Sequence, residues 1–285
     1  MNRSLPMKLM VKAANVGAYR VCYRPAEWLV RRFSSVGEHA FFNSKDLAWI
    51  PRVEAGWTAI RDELREVLRQ RERIPNFQQV SSEQKRITQD DKWKTYWLYA
   101  YGRKMEDNCR ACPETTRLVE GIPGIKTAFF SILAPRKHIP EHRGPYSGVL
   151  RYHLGLVVPR EKEACRIRVD KEVAHWEEGR SLVFDDTYLH EVWNDTDEER
   201  VVLFIDFARP LPFPVSLLNE AMIRLLSRSG YVQEIVENVD DWRKRQNAAA
   251  PAGKPPGTRD AVSAPDPTAP LGSAATPTTF DAVQH

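Results

Sequence analysis

The sequence offers little that would place it in a membrane or on nucleic acid. No run of residues approaches the roughly 20 apolar positions that a membrane-crossing helix needs. The N-terminal stretch also lacks the continuous apolar segment of a secretion signal. Net charge is only +4 over 285 residues, too small for a general attraction to a polyanion, so no nucleic-acid partner is expected. Cysteine is sparse: Cys22, Cys109, Cys112 and Cys165, irregularly spaced, which predicts reduced thiols and a cytoplasmic setting. Cys109 and Cys112 have C-x-x-C spacing, but a zinc knuckle needs a second such pair and a redox site a βαβ context. A structural role is expected for both. Histidine is scarce as well, with seven in the chain, and no segment repeats.

What is present has the composition of a folded domain, 42% hydrophobic and 28% charged. The length suffices to bury one good core. The two ends differ from the middle. Residues 1–35 read as a basic extension: Arg3, Lys8, Lys12, Arg20, Arg24, Arg31 and Arg32 face a single acid, Glu27. That balance keeps open a peripheral contact with anionic lipid at the cytoplasmic membrane face, beside the alternative of an extension packed on the domain. From Asn247 onward seven of the chain's twenty prolines accompany one aromatic residue, Phe280. Residues 247–285 therefore cannot bury enough apolar area to offset their ordering entropy, and a disordered tail is expected. The domain itself is expected over residues 36–246.

Val53, Trp57, Ile60, Leu64, Val67 and Leu68 recur at helical spacing with charges between them, which predicts an amphipathic helix. A second helical region runs from about Pro214 to Arg245, with Ser229-Gly230 as its break. Between about 125 and 212 the pattern changes. Thr127–Leu133, Gly148–Val158, Cys165–Val169, Ser181–Asp185, Glu191–Asn194 and Val201–Phe207 are short, rich in β-branched and aromatic residues, and bounded by turn residues. Strands this close, without room for crossover helices, pair antiparallel. A mainly β sandwich or jelly roll with flanking α-helices follows.

The stretch HIPEHRGPYSGVLRYHLGL, residues 138–156, gathers His138, His142 and His153. In a strand, Leu150, Tyr152, Leu154 and Leu156 share an apolar face, while Val149, Arg151, His153 and Gly155 share the other. A cation inside a buried strand is costly without a partner, and an anion in a cavity would relieve that cost. A second polar group follows in FDDTYLHEVWN, with His190, and in RVVLFID, with Arg200. Each residue alone is compatible with a structural role. Two histidines, two arginines and Ser131 on neighbouring strands suggest a metal and a dicarboxylate instead, and imidazole ligands with open positions suit an iron oxygenase. Asp186 is a candidate for orienting a metal-bound water or a histidine, or a turn residue with Asp185. Trp93 and Trp97 are core candidates that would alternatively line a substrate mouth.

The runs HRGPYSGVLRYHLGLVVP, HWEEGRSLVFDDTYLHEVWND and RVVLFIDFARP resemble the aspartyl/asparaginyl β-hydroxylase family over about residues 90–212. The resemblance implies a double-stranded β-helix (jelly roll, cupin-like) that couples Fe(II), 2-oxoglutarate and O2 to hydroxylation of an unactivated carbon. It implies His142 and His190 as the iron ligands and His153 with Arg151 beside the cosubstrate carboxylate near the metal. Arg200 and Ser131 would hold the distal carboxylate, and His138 would be a turn residue. Most iron oxygenases carry an acid two residues after the first histidine; Gly144 stands here, as in the aspartyl hydroxylases, which implies a two-histidine site completed by water or, remotely, by halide. Val149 replaces an arginine that animal members use on their substrate, so EGF-like domains are not the expected target. A peptidyl or amino-acid-like substrate is favoured. The alternatives are a lipid acyl chain, as in the related lipid A hydroxylases, and a cupin-like binding module without activity.

Overall fold

Eleven strands and eight α-helices are found in the computed structural model, which describes residues 24–228 and 230–249. Most of the basic extension and nearly all of the tail lie outside the described residues. In chain order the strands are β1 (Phe41–Phe42), β2 (Trp93–Ala100), β3 (Arg103–Lys104), β4 (Ile125–Leu133), β5 (Lys137–His142) and β6 (Val149–Val157). They continue with β7 (Cys165–Val169), β8 (Glu172–His175), β9 (Ser181–Phe184), β10 (His190–Asn194) and β11 (Arg200–Ala208). The helices are α1 (Arg24–Arg32), α2 (Ile50–Ala55), α3 (Trp57–Leu68), α4 (Phe77–Val80), α5 (Glu106–Ala111), α6 (Pro113–Glu120), α7 (Val215–Ser227) and α8 (Gly230–Ala249). Helix α8 thus includes Asn247–Ala249, which the sequence assigns to the tail.

Seven strands form one antiparallel sheet in the order β1-β9-β6-β11-β4-β2-β3, and four form a second in the order β5-β10-β7-β8. Two cores follow from strand alternation. Leu150, Tyr152, Leu154 and Leu156 of β6 join Phe130, Ile132, Leu203 and Ile205 beneath the helices, against Ile60 and Leu64 of α3. The opposite face of the large sheet packs on the small one, where Trp93, Phe129 and Phe204 meet Ile139, Ile167 and Val192. This closed pair of antiparallel sheets with helices on the outer face is the double-stranded β-helix. No helix among the described residues is long and apolar enough to cross a membrane.

The helix expected over Val53–Leu68 is divided at Gly56. That residue lets α6 approach, since a Cβ there would overlap Leu118 Cδ1. Cys109 and Cys112 lie in the core beneath the helices. Cys109 donates to the Leu98 carbonyl at 3.3 Å, and burial pushes both thiols upward. They are held protonated and unreactive, the structural role expected of them.

Candidate active site

The large sheet brings four of the candidate residues onto its inner face. On β6 and β11, His153 lies opposite Phe204 and Arg151 opposite Asp206. On β4 and β11, Ser131 lies opposite Val202 and Leu133 opposite Arg200. Residues two apart on a strand share a face, so Ser131 and Arg200 are diagonal neighbours across the ladder.

The small sheet supplies the two proposed metal ligands. His142 closes β5 and His190 opens β10, paired directly across the ladder beside a register shift. Their ring centroids are 4.1 Å apart. Nδ1 of His142 lies 2.9 Å from the Pro140 carbonyl, and Nδ1 of His190 lies 3.0 Å from the Tyr188 carbonyl. A carbonyl only accepts, so each ring carries its proton on Nδ1 and keeps its lone pair on Nε2, the arrangement of a metal ligand. Burial holds the rings neutral: His142 is lowered to about 4. His190 is pushed well down by burial and by the neighbouring His142 and Arg151. His138, expected in a turn, lies within β5, where it stacks on Trp193 with centroids 5.3 Å apart and meets Glu191 at 3.2 Å. It takes no part in the site.

These neutral histidines predict a pH dependence for the metal-free protein. An imidazole held below its usual 6.5 takes up its proton first in the unfolded chain, so stability falls as pH falls through that window. Between pH 7.5 and pH 5, His142 alone accounts for about 2 kcal/mol. His153 and His190 act in the same sense, whereas Asp186, raised by burial, works oppositely and offsets part of the loss. Urea midpoints should drop over this range; a flat or rising profile would contradict the assignment.

Arg200 is the residue of the inner face that most needs a partner. Its guanidinium is buried, lies 4.5 Å over the Trp176 ring and makes no ion pair among the described residues. Nε and Nη1 have no hydrogen-bond partner at all, and burial pulls its pKa down to about 10. An unpaired buried cation is among the costliest groups a fold can carry. His153 adds another free donor. Its Nδ1 accepts from Trp176 Nε1 at 3.4 Å, which leaves the proton on Nε2, a buried atom without a partner. Ser131 Oγ accepts from Trp93 Nε1 at 3.0 Å, so its own proton remains available. Ser131, His153 and Arg200 therefore offer donors with no acceptor in reach.

Arg151 differs from the sequence expectation. The sequence marks it as a buried cation in want of an anion, but the fold provides two: Asp186 Oδ2 at 2.8 Å and Asp206 Oδ1 at 2.9 Å. Although burial opposes its charge, these carboxylates outweigh it and raise its pKa. One guanidinium cannot neutralise two buried acids, and Asp186 is pushed upward by burial and by Asp206. Asp185 turns the other way, into a fully buried ion pair with Arg209. The Asp185-Asp186 turn thus gives one acid to the scaffold and one to the site. Gly144 explains the closeness: its N–H donates to the Asp186 carbonyl at 2.7 Å, and a Cβ on Gly144 would fall inside the Asp186 carboxylate.

Sequence reasoning missed Trp176, whose indole bridges Arg200 and His153, and left Asp186 and Asp206 out of the site. The exchange of buried acids between strands leaves no local signal. Trp93 and Trp97 are buried as core residues, but Trp93 also fixes Ser131. No group of three or more His, Cys, Asp or Glu side chains among the described residues is placed to hold one ion.

A family model described as "Aspartyl/Asparaginyl beta-hydroxylase" matches residues 54–210. The chain belongs to that family. Its members are hydroxylases, and two relatives bracket this one. "Ornithine lipid ester-linked acyl 2-hydroxylase" of Rhizobium tropici is 44% identical over 227 residues, covering 80% of this chain and 81% of that protein. Human aspartyl/asparaginyl beta-hydroxylase is 32% identical over 197 residues, which cover 62% of this chain and 25% of the human protein. Among solved structures, a Trichoplax adhaerens prolyl hydroxylase in complex with a hypoxia inducible factor peptide aligns with TM-score 0.43 at 15% identity. The alignment covers 61% of this chain and 83% of that one.

Proposed function

We propose that the protein is an Fe(II)- and 2-oxoglutarate-dependent hydroxylase whose substrate is an acyl chain of a membrane lipid. The observation that carries the cosubstrate is the buried, unpaired guanidinium of Arg200, flanked by the free donors of His153 and Ser131. A dicarboxylic oxo acid would give each of these donors an acceptor. Arg200 would grip its distal carboxylate with charge-assisted bonds and Ser131 would donate to the same group. His153 would donate from Nε2 beside the end nearer the metal, where Arg151 is already engaged by Asp186 and Asp206.

His142 and His190 would hold the iron through Nε2. Imidazole suits Fe(II), and two protein ligands leave positions open for cosubstrate, water and oxygen. Bound iron would supply the oxidising chemistry, in which 2-oxoglutarate and O2 give succinate and carbon dioxide, one oxygen atom passing to succinate and the other to the substrate's new hydroxyl. The protein's own part is orientation and exclusion of water. The carbonyls of Pro140 and Tyr188 lock both ring tautomers. Asp186 stands beside the first ligand's loop, ion-paired to Arg151, and would accept a hydrogen bond from a metal-bound water.

Sequence reading alone put a peptidyl substrate ahead of an acyl chain. A lipid acyl hydroxylase that matches four-fifths of both chains supports the reverse order. The test is anaerobic titration with Fe(II) and 2-oxoglutarate, followed by oxygen and a succinate assay with ester-linked acyl lipids or peptides. Expected are a visible charge-transfer band, slow succinate formation alone, and acceleration by the lipid. Acceleration by peptide alone would move the substrate to the peptidyl class. Folded, metal-loaded protein with neither band nor succinate would leave the cupin-like binding module.

A further inference from the structure

Two helices outside the catalytic sheets leave large apolar side chains in solvent. Trp28 on α1 is 64% exposed, Leu217 and Leu225 on α7 are 61% and 54% exposed, and Phe213, just before α7, is 78% exposed. Scattered surface leucines need no explanation, but these follow a pattern. On α7, Leu217, Leu218, Ala221, Arg224, Leu225 and Arg228 are exposed. Their spacing puts them in one stripe, opposite the buried Met222 and Ile223. On α1, Arg24, Trp28 and Arg32 form the exposed stripe, opposite the buried Ala26 and Val30. Both buried faces enter the same small cluster around Tyr146, so the two outward faces belong to one layer of the molecule.

The charge on these faces is predominantly positive. Arg24, Arg32, Arg224 and Arg228 are exposed among the apolar residues. The one acid of α7, Glu220, is shared between Lys126 at 2.8 Å and Arg224 at 3.4 Å, so it offsets only part of the positive charge. Large apolar side chains ringed by arginine suit an anionic lipid surface, where guanidinium meets headgroup phosphate and the apolar groups enter the acyl boundary. A second copy of the same basic face would instead bring like charges together. The basic residues of the preceding segment, Arg3, Lys8, Lys12 and Arg20, carry that same sign.

The position matters for the chemistry. Arg31 of α1 donates to Thr187 Oγ1 at 2.6 Å and lies 5.3 Å over the Tyr188 ring, in the loop that leads into His190. Asn219 of α7 donates to the Gly148 carbonyl at 2.9 Å, in the loop that leads away from His142. Both helices are thus fastened to the two loops that flank the metal ligands.

We propose that the outward faces of α1 and α7, with Phe213, are a docking surface for an anionic phospholipid bilayer. The inference deepens the lipid reading of the site and rests on it for its purpose, but the docking itself requires neither iron nor cosubstrate. Metal-free full-length protein is tested by co-sedimentation with phosphatidylglycerol-containing vesicles and with pure phosphatidylcholine vesicles. Binding is expected only to the anionic vesicles. Leu217→Ser and Leu225→Ser should each weaken it about tenfold, and Arg32→Gln and Arg224→Gln about fivefold each. All four side chains are exposed, so thermal melting should be unchanged and the loss attributable to the surface. Vesicle binding that these variants leave intact would overturn the proposal. So would absence of binding, or a wild-type dimer that Leu217→Ser and Leu225→Ser convert to monomer. Because the assay contains no iron, none of these outcomes depends on whether the protein turns over 2-oxoglutarate.

Discussion

Arg200→Met is expected to give a protein that folds at least as stably as the wild type and binds 2-oxoglutarate at least about thirtyfold more weakly. The two effects have one origin. In the wild type the guanidinium is buried without a counterion, and two of its nitrogens have no acceptor. The fold carries that desolvation cost, which the proposed dicarboxylate would relieve. Methionine fills similar space, keeps contact with Trp176 and removes the charge. Replacing buried ionic groups with apolar ones of like volume is neutral or stabilising by about 1–4 kcal/mol, so the denaturation midpoint should hold or rise. Cosubstrate binding loses a charge-assisted, two-pronged contact, which costs about 2–5 kcal/mol. A fall in affinity of at least about thirtyfold follows, read by calorimetry with a redox-inert divalent metal in place of iron. Arg200→Lys keeps the charge but not the fork, and should bind at an intermediate strength. A variant Arg200→Met that melts markedly lower while binding 2-oxoglutarate normally would make Arg200 a structural residue and remove the main support for the proposed reaction.

The contrast with Arg151 shows where sequence reasoning reaches its limit. The alternation of β6 was legible because its two faces differ so sharply in polarity, and it set Arg151 and His153 on the inner face as found. Which of the two arginines lacks a partner was not legible. Asp186 and Asp206 are 35 and 55 positions from Arg151 and reach it only once β6, β11 and the loop after β9 are assembled. The roles of Arg200 and Ser131 came from family resemblance, and nothing local in RVVLFID marks the arginine as unpaired. Element by element, strands with clear β composition were placed to within a residue or two: Cys165–Val169 coincides with β7. Strand β5 was missed because KHIPEH contains a proline and charged residues, which read as a turn; its place at the edge of the small sheet tolerates both. Strand β2 was missed because its second half, Trp97–Ala100, is buried on both faces and breaks the alternation. The split of the first long helix at Gly56 depends on Leu118, far along the chain.

Gly144→Asp, which would install the acid that most iron oxygenases carry two residues after the first histidine, is expected to damage the protein rather than improve its metal site. The space is taken. A Cβ at position 144 would lie within the carboxylate of Asp186, which is buried and paired with Arg151 at 2.8 Å. The new side chain would push Asp186 from its partner and add another acid where one guanidinium already serves two. Disrupting a buried pair in this way costs about 3–5 kcal/mol, and displacing a group that orients metal ligands or bound water lowers metal affinity about 10–100-fold. The same geometry predicts a remedy. In Gly144→Asp combined with Asp186→Gly, the overlap is gone and the number of carboxylates near Arg151 returns to that of the wild type, with the acid moved to the other side of the contact. The double variant should recover most of the stability lost in Gly144→Asp, measured by urea denaturation, and should regain Fe(II) affinity, measured anaerobically by competition with a chromogenic chelator. Coupling of this size is expected only for residues in direct contact. If Gly144→Asp alone were as stable as the wild type, or if Asp186→Gly failed to rescue it, the two positions would not share one space. In that case Gly144 would owe its identity to the backbone turn and not to Asp186.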